Sequence, residues 1–175
     1  MKIISKENVL AVIKDQQEKG YHIDPKVELA TAGAKALFSL TIDDQQTLLS
    51  LVMANNSGHR FLTPKKQART LLAVTERLLE NNLHLSDLAH GNVDEEYNPV
   101  WFRPCVEIDA QFDYERFGWV YLTFPAKHHL KYSPGGTFRI YDGNRKCLVL
   151  GKRLLAGETS YKKIPALLIV PKPFY

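Results

Sequence analysis

IYDGNRKCLV, residues Ile140 to Val149, joins two short apolar runs through Asp142, Gly143 and Asn144. An Asp-Gly step between β-branched and aromatic residues is a strong hairpin pattern, because glycine accepts the positive φ that a tight turn between strands requires. The stretch is therefore predicted as two antiparallel strands, Thr137 to Tyr141 and Lys146 to Leu150. Further runs of β-branched, aromatic and alternating residues match strands at Cys105 to Phe112, Gly118 to Phe124 and Ala166 to Val170. From Trp101 onward about five strands are expected, in a mainly antiparallel sheet.

Upstream of that region the apolar period is 3.6. Ser5 precedes a run in which Val9, Val12, Ile13 and Gln16 share one helical face, and Gly20 stands where that helix would stop. Asp24 and Pro25 pair a capping residue with a first-turn proline, and Val27, Ala30, Ala34, Leu37 and Phe38 continue the period. Thr41 with Asp44 resembles a capping box ahead of Leu48, Leu49, Val52 and Met53, and the intervening DDQQ has no Gly or Asn to make a tight turn. Thr63-Pro64 opens the longest amphipathic pattern, with Ala68, Leu71, Leu72, Thr75, Leu78 and Leu79 on one stripe. The expectation is an α+β fold. A helical part of about four helices spans residues 1–90, an acidic connector with Asp94, Glu95 and Glu96 spans 91–99, and a mainly β part spans 100–175, packed together as one unit.

Composition supports a packed chain. With 45% hydrophobic and 24% charged residues it lies away from the disordered regime, and 175 residues are enough to bury a substantial core. No apolar run approaches the roughly 18 residues of a membrane span, and MKIISKENVL reaches a lysine and a glutamate before any signal-like apolar stretch. A cytoplasmic location without membrane contact is expected.

The net charge of +4 conceals a segregation. Residues 91–126 carry 2 basic and 7 acidic side chains, whereas 127–175 carry 10 basic and 2 acidic ones. Such a concentration of positive charge attracts polyanions. Aromatic residues interleave with the cations, and an exposed surface of that kind neutralises phosphates while its rings stack bases. The residues assigned to nucleic-acid binding are Lys127, His128, Lys131, Arg139, Arg145 and Lys146, with Trp119 and Tyr141 as stacking groups. KHHLKYSPGG, residues Lys127 to Gly136, is read as a basic connector between two strands.

Patterns of catalysis were weighed against this reading. His128 and His129 are adjacent, so on a strand they point to opposite faces, and one metal takes both only if a loop bends them together. Glu107 and Asp109 would share a strand face, as in a two-carboxylate metal site of the nuclease kind, with Asp113 and Glu115 nearby. Alternation also puts such a pair simply in solvent, and no metal is assigned. Cys105 and Cys147 sit in no nucleophile signature and read as buried hydrophobes. Gly135 and Gly136 lack the following Gly-Lys-Ser/Thr of a phosphate loop, so no nucleotide cofactor is expected. Arg77 and His84, with six residues between them, have a spacing similar to that of HEPN-type helical ribonucleases, although Leu78 and Leu79 follow the arginine where that family places a polar residue.

The sequence thus points to a non-enzymatic protein that binds RNA or DNA. The alternatives are a protein-interaction or inhibitor module docking an acidic protein partner, and a nuclease-type hydrolase.

Overall fold

The computed structural model describes residues 1–55, 68–91 and 97–173. After the two-residue strand β1 (Lys2–Ile3), Ser5 accepts a hydrogen bond from the Asn8 N–H and opens α1 (Lys6–Glu18), which buries Val9, Ile13 and Gln16. Asp24 accepts from the Lys26 N–H and opens α2 (Pro25–Gly33). Both helices begin at the residues whose side chains satisfy the otherwise unpaired first-turn donors.

The helix expected to continue to Phe38 ends at Gly33, and residues from Ala34 form a strand, β2 (Ala34–Ile42). Leu37 packs with α1 and α2 while Phe38 and Leu40 pack into the larger core on the other side. A strand buried on both faces has consecutive apolar residues, and over so short a span these fit a helical period equally well. The next helix starts later than expected and is short. Asp44, not Thr41, supplies the cap, accepting from the Thr47 N–H at 2.7 Å, and α3 (Gln45–Leu49) gives way to the fully buried β3 (Val52–Ala54). The expected helix start at Thr63-Pro64 lies outside the described residues. Ala68, expected on that helix, stands in β4 (Ala68–Thr70); Thr70 then caps α4 (Leu71–Glu80), which is followed by α5 (Leu85–His90).

Most of the acidic connector also lies outside the described residues. Asn98 caps α6 (Pro99–Ala110), so the strand expected over Cys105 to Phe112 is a helix instead. Trp101, Phe102 and Cys105 bury one face, and Pro104 sits exposed inside the helix. A single 3-10 turn, Tyr114–Arg116, leads to β5 (Val120–Thr123), α7 (Lys127–Tyr132) and β6 (Arg139–Asp142).

The hairpin expected at Asp142-Gly143-Asn144 does not form. Gly143, at φ 104°, ends β6 and starts α8 (Asn144–Leu155), which β7 (Ile164–Pro171) follows. Cys147, Leu148, Val149, Leu150, Gly151 and Leu154 are all buried, because α8 packs on α3, α4 and α6 and shares the larger core with the sheet. Four consecutive apolar residues, Cys147 to Leu150, fit a buried strand as well as a helix over so short a window, and the polar residues that carry the helical period, Asn144 to Lys146 and Lys152 to Arg153, flank them.

The described residues form one seven-stranded mixed sheet, ordered β1-β2-β7-β5-β6-β3-β4, and eight α-helices. The α+β class holds, with more helices and strands than expected and both halves of the chain contributing to each. Pairs β7–β5 and β6–β3 are parallel, the others antiparallel. Leu167, Ile169 and Tyr121 face α1 and α2; Ala166, Leu168, Val120 and Leu122 face the larger core under the remaining helices. No helix among the described residues is long and apolar enough to cross a membrane.

Helices α4 and α8 meet at Gly151, where a Cβ would stand 3.0 Å from the Thr75 methyl and 3.3 Å from Leu71 Cγ. Gly151→Leu keeps a good helix former there but overpacks the contact. It should lower unfolding free energy by about 1–3 kcal/mol in urea titration.

Candidate functional site

The antiparallel strands β5 and β6 divide the residues predicted to bind nucleic acid into two groups. Lys127, His128 and Lys131 lie on α7, where the chain passes from the end of β5 to the start of β6. Trp119, Arg145 and Lys146 lie at the opposite end, about 10 Å away at three strand residues. Arg139 and Tyr141, both half-buried, stand on β6 between them.

At the α7 end, Lys127, His128 and Lys131 are exposed, as are Phe124 (52%) and Tyr132 (44%). Lys131 Nζ lies 5.9 Å from the Tyr132 ring centroid, and the Phe124 ring lies 5.8 Å from that of Phe138. The expected basic connector is therefore helical and presents cations beside aromatic rings. His129 belongs to the interior. Its Nδ1 accepts from the Ala126 N–H, capping α7, and burial, reinforced by the charges of Arg139 and His128, pushes its pKa down to about 4. A neutral ring suits that acceptor role.

At the other end, a cleft of about 960 Å³ opens between the α1–α2 connection, α6, the start of β5 and the first turn of α8. Trp119, Arg145 and Lys146 line it, but the two cations are held by the protein. Lys146 Nζ donates to Phe117 O at 2.7 Å and Trp119 O at 2.6 Å, 5.0 Å from the Phe117 ring centroid. Arg145 Nε donates to Trp101 O at 2.8 Å, with its guanidinium 5.3 Å from the Trp101 ring centroid. Lys146 is thus a brace for the segment entering β5, a role that composition cannot separate from that of a surface cation. Tyr141, assigned as a stacking group, instead has Lys26 Nζ 4.9 Å from its centroid.

A β-bulge shapes the cleft floor. Leu122 pairs with Ile140, but Tyr121 pairs with Asp142, leaving Tyr141 as the extra residue. The bulge puts Asp142 on the same sheet face as Tyr121. Asp142 Oδ2 accepts from the Asp24 N–H at 3.2 Å and Oδ1 from the Gly143 N–H at 3.0 Å, tying the start of α2 to the start of α8. Sequence reasoning missed this junction because it took the same Asp-Gly for a hairpin turn.

The other candidate chemistries are not assembled. Glu107 and Asp109 stand on α6, where two residues separate side chains by about 200°. Asp109 accepts from Arg153 Nε at 2.7 Å. Among the described residues no group of three or more His, Cys, Asp or Glu is placed to hold a metal ion. Cys105 and Cys147 are buried free thiols, each pushed up to about 12 by desolvation. Arg77 is in the last turn of α4, and His84 precedes α5 as an N-cap without a capping side-chain bond.

Burial pushes the Lys146 pKa down to about 8 from 10.5. A neutral amine keeps two N–H groups, enough for both carbonyls. The native state therefore releases this proton before the unfolded chain does, and the Lys146 contribution to stability rises between about pH 8 and 10.5. Urea unfolding of the parent and of Lys146→Met across this range should show a pH-dependent rise in the parent that the variant lacks. The comparison removes the effect of tyrosines such as Tyr121, whose raised pKa acts in the opposite direction.

Comparison with known protein families, curated proteins and solved structures gives no match to this chain.

Proposed function

We propose that the protein binds single-stranded nucleic acid across the exposed face of α7. The observation that carries this reading is the juxtaposition there of Lys127, His128 and Lys131 with the exposed rings of Phe124 and Tyr132. Cations next to accessible rings neutralise phosphates and stack bases without selecting a sequence. The surrounding charge favours approach, since residues 127–175 carry 10 basic and 2 acidic side chains. Of the residues assigned from sequence, Lys127, His128 and Lys131 make the contact. Arg139, Arg145, Lys146, Trp119 and Tyr141 serve the reading indirectly, by holding the β5–β6 frame on which α7 is mounted.

A second reading has its own support. Leu130 is 39% exposed on the same helix, so an acidic protein partner with an apolar contact would use the same surface.

Lys127 and Lys131 are exposed, so Lys127→Glu with Lys131→Glu should leave the fold intact by circular dichroism. Fluorescence anisotropy with labelled single-stranded RNA, single-stranded DNA and duplex DNA should show single-strand binding by the parent at near-physiological salt. In the double variant affinity should fall about tenfold or more, and the slope of log affinity against log salt should lessen by about 1 for each lysine that contacts a phosphate. Undiminished affinity in the folded variant overturns the surface. No binding by the parent leaves the acidic-partner reading.

A further inference from the structure

Tyr121 and Asn144 line the cleft at the far end of the β5–β6 pair, and each carries a buried polar atom without a hydrogen-bond partner, the Tyr121 hydroxyl and Asn144 Oδ1. Tyr121 is 2% exposed. Buried groups of this kind are uncommon because each forfeits its bonds to water, and two on residues that line one cavity point to a molecule that pairs with both.

The twelve-residue α8 begins in the same cavity. Its N-cap is Gly143, which offers no side-chain bond, and its first turn, Asn144-Arg145-Lys146, contains no acidic residue. The helix therefore presents free N–H groups and a positive partial charge to the cleft, an arrangement suited to a phosphate. Asp142 spends its carboxylate on two backbone donors, and Lys146 stands beside it. The local balance is near neutral, which suits one phosphate better than several. Trp119, half-buried, adds a flat wall, and about 960 Å³ lies within the range of small-molecule sites.

A bare anion would leave the Asn144 oxygen, an acceptor, without a donor. An apolar ligand would leave both buried atoms unpaired. A nucleobase carries donors and acceptors on one edge, has a face that stacks on Trp119, and is joined to a phosphate in one molecule. We propose that this cleft is a mononucleotide-binding site, with the phosphate at the start of α8, the base against Trp119, and its polar edge on Tyr121 and Asn144. The site uses none of the α7 surface and stands or falls independently of it.

Titration of the full chain with the 5′-monophosphates of adenosine, guanosine, cytidine and uridine, and separately with inorganic phosphate, tests the assignment through tryptophan fluorescence and calorimetry. At least one nucleotide should bind with Kd below about 1 mM and at least about tenfold more tightly than phosphate. Tyr121→Phe removes only the hydroxyl. It should weaken that nucleotide about tenfold while the ligand-free variant melts at the same or a higher temperature, since the group removed had no partner. Asn144→Ala should weaken it similarly. Absence of binding by all four nucleotides, equal binding of inorganic phosphate, or full affinity in folded Tyr121→Phe overturns the proposal. Loss of nucleotide binding in the Lys127→Glu, Lys131→Glu variant would also overturn it, by placing the ligand on α7.

Discussion

The pairing of β7 with β2 on one side and β5 on the other holds the helices of this protein to a common sheet. Because β7 has partners on both edges and helices over both faces, nearly every one of its residues must be apolar, and Ile164 through Ile169 are so, all buried but the half-buried Pro165. Its alternation sends Leu167 and Ile169 toward α1 and α2 and Ala166 and Leu168 into the larger core. The two apolar layers are thus coupled through one strand.

Beyond β7 the sheet loses its regularity, and both surfaces of interest lie there. β5 and β6 are short, and their connection at one end includes a six-residue helix whose inward histidine caps it and whose two lysines face outward. At the other end a bulge reorients Asp142, which then links two helix starts through backbone donors. Lys146 and Arg145 reinforce this end by bonding the carbonyls of Phe117, Trp119 and Trp101. One face of the chain has free cations and the other has cations already used as struts, although they come from the same basic segment.

What was legible in the sequence was mostly local. Ser5 and Asp24 start helices through bonds to residues two or three positions on; β5 falls within the run of aromatic and β-branched residues that predicted it, and β6 and β7 overlap theirs. What could not be read depends on burial from every side. Lys146 to Leu150 and Cys105 to Phe112 have strand-like composition, yet the first is helical and the second is helical as far as Ala110: consecutive apolar residues such as Cys147 to Leu150 fit a strand over so short a window. In the same way, a lysine bonded to two carbonyls and a lysine in water are identical letters. Lys127, His128 and Lys131 could be found by charge, whereas Tyr121, Asn144 and Asp142 are brought together only by the bulge and by a glycine that turns the chain into a helix.

The sheet order also has a temporal meaning. Ile42 pairs with Ile164, and Tyr161 donates to Ile42 O across 119 residues of sequence. During synthesis β2 emerges long before its partner, so until β7 arrives β2 and β5 each have an unpaired edge and the layer of α1 and α2 lacks most of its floor. Closing so long a loop is entropically slow, and assembly is governed by this late, non-local step more than by the rapid formation of individual helices. Throughout that wait the nascent chain must keep two unpaired edges, each a row of open backbone N–H and C=O groups on an apolar strand, apart from other chains.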